Sequence, residues 1–386
     1  MDEELTARLA LNRVSGVGPA AFSNLFQCFS SASAVFKANR TQLSRISGVS
    51  DDAVDILLKG IDATNVEQDM LWLEENACHR VIFFQHQGYP DLLTRIHRPP
   101  PVLFLKGNAS LLHTPQLAIV GSRNPTAGGI ENARAFSSEL AACGLTITSG
   151  LAAGIDGAAH QGALSARDST GKSGKTIAVA ATGLDRIYPA HNRELAHEIV
   201  EKGLLISEFP IGVAPLQANF PRRNRVISGL SLGTLVVEAA RRSGSLISAR
   251  CAMEQDREVF AIPGSIHSPQ SRGCHWLIKQ GAKLVETAED IAEEILMMLP
   301  DVSKEHEDTG GNSNNKCKDT VLELPEQERL LLDALGFDPV PLDSLISRTG
   351  MGIEELSVNI SQLELKGLIE SLPGGVFSRR VKLRCQ

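Results

Sequence analysis

Aromatic residues are scarce: two Trp, two Tyr and thirteen Phe in 386 residues. An aromatic set among polar neighbours is therefore a candidate platform before it is core filler. Positive charge is in deficit too, with 38 Lys and Arg against 45 Asp and Glu and a net charge of −7. A protein that coats duplex DNA is ordinarily basic all over, so any nucleic-acid contact here must be a local patch. The seven Cys include no CxxC pair, which excludes a disulfide frame or a zinc ribbon and suits reduced thiols in the cytoplasm. No apolar run approaches the ~20 residues of a membrane span. The opening "MDEELTARLALNRV" is acidic, then amphipathic, unlike a secretory leader. No membrane partner and a cytoplasmic location are the expectation. The length exceeds one ordinary core, so two or three domains are expected.

Residues 1–64 read as a helical domain. "VSGVGPAAFSNLF" and "ISGVSDDAVDILL" are two related segments, each an apolar residue, a Gly turn and an amphipathic helix. This is the pattern of helix-hairpin-helix or SAM-like units, whose hairpin can offer backbone N–H groups to a phosphate. The second copy carries Asp51 and Asp52, which repel one. A structural helical bundle is the preferred reading. Between 66 and 115, "RVIFFQ" and "VLFLKG" read as strands on either side of "HQGYPDLL" and "HRPPP". From 116 to 300 apolar strands alternate with helices: "QLAIVGS", "LTITSG", "TIAVAATG", "LLISEFP", "LGTLVVEA" and "EVFAIPG". Such strands imply an α/β fold, a mostly parallel sheet covered on both faces, with ligands at the strands' carboxyl ends. The core domain is set at 65–300. Residues 301–320, "DVSKEHEDTGGNSNNKCKDT", read as a flexible linker. Residues 321–386 read as a winged helix, with three helical segments and a wing at "IESLPGGVFSRR". Its recognition segment, 353–366, carries Glu354, Glu355 and Glu364 against Lys366, and basic residues come only at Arg379, Arg380, Lys382 and Arg384. A protein-contact or accessory module fits better than a duplex reader.

The first strand ends in Gly121-Ser122-Arg123, without the G-x-G-x-x-G of a dinucleotide site. Small residues recur near the other strands, at Ser149-Gly150, Thr182-Gly183, Gly233-Thr234 and Pro263-Gly264. They let backbone come close to a ligand and expose N–H groups to anions. Arg123 can clamp a phosphate at two points. "QANFPRRNRVISGL" is the most telling stretch. Phe220 precedes Arg222, Arg223 and Arg225, with Asn219 and Asn224 among them. An aromatic beside a row of arginines suits single-stranded nucleic acid, with the ring stacking a base and the arginines tracking phosphates. The opposing reading buries Phe220 and pairs the arginines with Glu208 and Glu238. Asp156 and His160, one helical turn apart, could form an acid–base pair. No nucleophile accompanies them, and a loop anchor plus a packing histidine is preferred. His267, Cys274 and His275 lack zinc spacing. No cofactor or metal is expected.

Six motifs occur in order: "GSRNPT", "SGLAAGIDGAAH", "TGLDRIYPAHN", "NFPRRNRVISGL", "SGSLISARCAMEQDREVFAIPG" and "GCHWLIKQGAKLV". Over about 65–300 the chain closely resembles the DprA/Smf family, the DNA-processing proteins of bacterial natural transformation. The resemblance implies an extended Rossmann-like domain that binds single-stranded DNA, protects incoming strands and loads RecA, without catalysis. It implies DNA contacts at Gly121, Ser122, Arg123, Asn219, Phe220, Arg223 and Arg225. It also implies a recombinase surface near Met253 and Glu258, and a homodimer formed through roughly 260–290. Some members carry a lysine right after the Tyr-Pro, where this chain has Ala190 with Arg193 nearby. Some carry another three residues before the phenylalanine, where this chain has Gln217. Arg193 and Arg222 are the substitutes.

Two rival readings exist. Nucleoside-monophosphate phosphoribohydrolases carry P-G-G-x-G-T-x-x-E, whereas here "GLSLGTLVVE" lacks the Pro-Gly-Gly and places Glu238 one residue late. A nucleotide-sensing regulator acting on duplex DNA is opposed by the acidic recognition segment.

Overall fold

The computed structural model describes residues 3–167, 174–298, 325–336 and 339–379. The linker expected at 301–320 lies outside them, as do Arg380, Lys382 and Arg384. Two compact units divide the chain at Met298 and Leu299.

The first unit opens with five short helices: α1 (Glu3–Arg13), α2 (Pro19–Cys28), α3 (Ala32–Phe36), α4 (Arg40–Leu43) and α5 (Asp51–Lys59). Their own core gathers Leu11, Phe22, Leu25, Leu43, Val54 and Leu57. The module is also joined to the sheet, through α6 (Glu67–Glu75). Leu9, Val66 and Trp72 pack with Phe83, Phe104 and Leu205. Arg13 donates to both carboxylate oxygens of the buried Asp69, at 2.6 and 2.7 Å, and to the Ile211 carbonyl. Ile211 N–H returns a bond to Asp69. Charged groups so fully paired hold parts together more firmly than exposed pairs do.

Among the described residues nine strands form one sheet: β1 (His79–Phe83), β2 (Val102–Gly107), β3 (Gln116–Val120), β4 (Thr146–Ser149), β5 (Lys175–Ala180), β6 (Leu204–Ser207), β7 (Gly233–Val236), β8 (Glu258–Ala261) and β9 (Lys283–Leu284). Their order is β1-β2-β6-β5-β4-β3-β7-β8-β9. From β6 to β9 all pairings are parallel, and β1 and β2 join antiparallel at one edge. A short helix, α7 (Asp91–Thr94), lies between β1 and β2 in the chain. This is the mostly parallel sheet expected from the alternating pattern, and the extended Rossmann-like domain that the resemblance implies. Successive residues of β3 serve opposite faces, as a strand's period of two requires. Leu117 and Ile119 pack under α8 (Ala127–Ala142) and α9 (Ile155–Ser165). Further along the sheet, α10 (Arg193–Lys202) packs on Ala178 and Leu205. Ala118 and Val120 pack under α11 (Asn219–Leu230) and α12 (Ser245–Glu254). The chain runs from β3 outward through β4, β5 and β6, then returns to β7 on β3's other side. That reversal is a topological switch point, where open α/β sheets form their ligand crevice.

The second unit is a winged helix. The segments Glu326–Leu335, Leu342–Thr349 and Ile353–Leu365 are helical, and Ile369–Leu372 pairs with Val376–Arg379 as the wing. A two-residue strand, Val340–Pro341, adds a third edge that the sequence pattern is too short to reveal.

Candidate nucleic-acid interface

A crevice of about 830 Å³ opens at the switch point. Loops at the carboxyl ends of six strands line it, Tyr188 coming from the β5 connection and Gln270 from the β8 connection. β3 supplies Gly121, Ser122, Arg123 and Asn124, and β4 supplies Ala152 and Asp156. The β6 connection supplies Pro215, Gln217, Phe220, Arg223 and Asn224, and the β7 connection supplies Arg242, Ser243, Gly244 and Ser245. α12 starts at the wall behind Gly244, where the Ser243 hydroxyl oxygen accepts from the Ser245 N–H and the Ser243 carbonyl from the Leu246 N–H, so its first turn is already satisfied.

The rim carries charge and aromatic surface together. Arg123 and Arg242 are exposed. The Arg123 guanidinium stands 5.2 Å from the centroid of the half-buried Phe220 ring. Tyr188, half of whose surface is open, faces Phe220 at 5.8 Å with the rings tilted by 57°. Sequence reasoning passes over Tyr188; its signal is rarity, one of only two tyrosines in the chain.

The floor is Arg223, only 4% exposed. Its Nη1 donates to the carbonyls of Gly150 and, at 2.8 Å, Val179, while its buried Nε has no partner among the described residues. Burial pulls Arg223 down to about 10, still protonated at neutral pH. Asp156 lies beside it. Burial pushes its carboxyl up, while the Arg223 charge and N–H donation from Ala152 and Gly150 pull it back. Gly150 is required, because a Cβ there would collide with the Arg223 guanidinium.

The arginine row expected from the sequence is not one surface. Asn219–Leu230 is a helix, so its residues fan out at 3.6 per turn. Arg222 is exposed and lies 4.9 Å from the Phe209 ring centroid. Arg223 turns inward. Arg225 is mostly buried, bonded to the Arg98 carbonyl at 2.6 Å and ion-paired with the buried Glu208. The pairing with Glu208 is therefore real for Arg225, and looser for Arg222 at 3.9 Å. Asn219 is buried, its amide donating to the Ala181 carbonyl. Ser149 is buried, its hydroxyl donating to the Ile119 carbonyl. Arg193 is exposed at the start of α10 but does not line the crevice. Met253 and Glu258 are half-buried on α12 and β8, away from the crevice lining. The small-residue signal is also diluted. Gly233 and Thr234 open β7 rather than close it, so they sit at the opposite sheet edge.

His160 and Asp156 do not pair. His160 Nδ1 lies 2.7 Å from the Thr176 hydroxyl, and burial with the nearby Arg223 charge lowers its pKa to about 3. Glu238 accepts hydrogen bonds from the backbone N–H and hydroxyl of Thr126, at 3.0 and 2.6 Å, locking the N-terminus of α8. Among the described residues no three His, Cys, Asp or Glu gather as metal ligands, and no helix is long and apolar enough to cross a membrane.

Comparison with known proteins agrees with this geometry. Residues 80–296 match the family described as DNA recombination-mediator protein A, and residues 318–375 match the DprA winged helix domain. Protein Smf of Escherichia coli is 45% identical over 322 residues, 82% of this chain and 81% of that protein. The DNA processing protein DprA of Bacillus subtilis is 46% identical over 54% of this chain and 68% of its own length. The DNA processing protein A of Streptococcus pneumoniae superposes with a TM-score of 0.63 at 37% identity, covering 75% of this chain and 97% of that one. That of Helicobacter pylori, described for its single-stranded DNA binding mode, gives 0.50 at 29% identity over 57% of this chain and 97% of that one.

Proposed function

The chain belongs to the DNA recombination-mediator protein A family, and from that premise we propose that its crevice holds single-stranded DNA, shields it and passes it to the RecA recombinase without catalysis. The carrying observation is the aromatic pair Phe220 and Tyr188 beside the exposed Arg123, at the mouth of a crevice that Arg242 and Ser243 also line. A base stacks on the ring, its phosphate meets Arg123 and Arg242, and the Arg223 Nε offers a donor from the floor. Every base has a stacking face, so such a site tolerates any sequence. A duplex hides its base faces and is excluded from the platform.

The DNA-contacting set in the crevice is Gly121, Ser122, Arg123, Phe220, Asn224 and Arg242, with Arg223 and Gly150 as the floor, and the exposed Arg222 meets the strand just outside it. The recombinase meets the surface around Met253 and Glu258. Two copies join along the β9 side of the sheet. β9 is the last strand in the order; its own Leu284 is exposed, as is Ile266 in the connection from β8, and an open edge with apolar residues favours self-pairing. The protein works in the cytoplasm. A hydrolase would need an acid such as Glu238, whose carboxylate is already spent on Thr126.

The test is oligonucleotide affinity of Phe220→Ala and Arg123→Ala. Loss of the ring costs roughly 1–3 kcal/mol, about 5- to 150-fold in affinity, with little change in stability. Wild-type affinity in both variants sinks the proposal.

A further inference from the structure

A second cavity of about 800 Å³ adjoins the first on the far side of the segment 213–222. That segment is a ridge whose residues alternate between the two spaces. Pro215, Gln217, Phe220 and Pro221 face the crevice. Val213, Leu216, Asn219 and Arg222 face the second cavity, together with Glu208, Asn12, Lys59 and the hairpin Ser15–Pro19.

We propose that a strand leaving the Phe220 platform crosses this ridge and places its next nucleotides in the second cavity, with a phosphate at the start of α2 and a base edge against Glu208 and Asn12. The inference rests on the single-strand reading of the crevice.

The phosphate end is built by the first hairpin. Gly16, at φ +88°, turns the chain so that Gly18 becomes the N-cap of α2, with no side-chain cap and no acidic residue in the first turn. Pro19, the first helical residue, has no N–H, so the donors of this turn without intrahelical acceptors are those of Gly18, Ala20 and Ala21. Lys59 is exposed at the same cavity and Arg222 lies across it. The related hairpin differs in each respect. Ser50 caps α5 by accepting from the Ala53 N–H, and Asp51 and Asp52 occupy its first turn. A Cβ on Gly16 would stand 2.8 Å from Ser50 Oγ, so the second hairpin props the first rather than sharing its task.

The base end is marked by two groups unsatisfied among the described residues. The Glu208 side chain is 2% exposed; its Oε2 is taken by Arg225, and its Oε1 accepts no hydrogen bond from the described residues, with Arg222 Nε at 3.9 Å. The Asn12 Nδ2 is likewise buried without an acceptor. Buried polar atoms left unpaired are costly, so each marks a place where a partner belongs. One is an acceptor and one a donor, and an unstacked base presents both kinds on its Watson–Crick edge. The module that carries the hairpin is held to the sheet by the Arg13–Asp69–Ile211 network, so the cavity exists before any strand enters.

The test compares strands of about four and about twelve nucleotides, within the span of known single-strand sites. A photo-crosslinking amino acid replaces Ser15, or Gln217 as the probe of the first cavity, and Lys59→Glu is titrated alongside. Both probed residues and Lys59 are exposed, so folding is undisturbed. The expected result is crosslinking from position 217 with both strands and from position 15 with the longer strand alone. Lys59→Glu then weakens only the longer strand, by about threefold or more, and lowers its salt slope by about 0.7. If position 15 stays silent and Lys59→Glu binds the longer strand like wild type, while position 217 still crosslinks, this inference falls and the single-strand reading stands. If neither position captures either strand, both fall.

Discussion

Arg223 gives its Nη1 to two backbone carbonyls beneath the crevice, while Arg222, one residue earlier, lies exposed against Phe209. Replacing the buried one by Met strands two carbonyls and leaves Asp156 without its nearby charge. The expected cost is about 3 kcal/mol of stability, read as a lowered urea midpoint. Arg222→Ala should stay within about 0.5 kcal/mol of wild type in the same experiment and yet weaken single-strand binding. His160 adds a pH signature. Its pKa falls from 6.5 to about 3 on folding, so the unfolded chain takes up a proton that the native one refuses. Its stabilisation is full above pH 6.5 and drains away as the pH falls toward 3. Between pH 6.5 and 5 it accounts for about 1.5 kcal/mol of lost stability. That part of the pH dependence should vanish in His160→Asn; an unchanged slope would rule this histidine out as its cause. Residue types are legible in the sequence here, and directions are not. Phe220 and Arg123 stand out in it and do meet at the crevice mouth. The three arginines read as a row only while the helix carrying them goes unrecognised. Its buried face, Asn219, Arg223, Val226, Ile227 and Leu230, has helical spacing, but two polar members and Pro221 mask it.

Helix starts decide what each element offers. α2 begins uncapped by a side chain and faces a cavity, whereas the first N–H of α12, on Ser245, is taken by the Ser243 hydroxyl. α8 begins with Thr126 accepting from the Gly129 N–H while its own N–H and hydroxyl bind Glu238, a start closed to ligands. Thr126→Ala should lower stability by about 1–2 kcal/mol, measured by urea unfolding, without altering DNA affinity. The parallel strands are legible because burial on both faces makes them apolar nearly throughout. β9 and the edge strand Val340–Pro341 are not, since two residues carry no periodicity. The antiparallel entry of β1 and β2 is also hidden: the segments read as strands, but direction comes from pairing, which composition does not encode.

At the scale of the whole molecule, the crevice and the ridge belong to the first unit alone. A chain ending at Met298 should fold and keep wild-type affinity for single strands, as an oligonucleotide titration would show. A large loss on truncation would assign the winged helix a share of the site. The switch-point crevice is legible because one strand-end turn, Gly121-Ser122-Arg123, announces it. The second cavity is not, because it joins Ser15 to Glu208 and Arg222, residues brought together only by the packing of the helical module on the sheet. The decisive measurement is the affinity of the intact protein for a single strand and for its duplex across a salt series. Exposed Arg123, Arg222 and Arg242, each neutralising one phosphate, give a log–log slope of about −2 on the single strand, with a clear preference over duplex. Equal binding to both forms, or no binding to either, would overturn the single-strand reading.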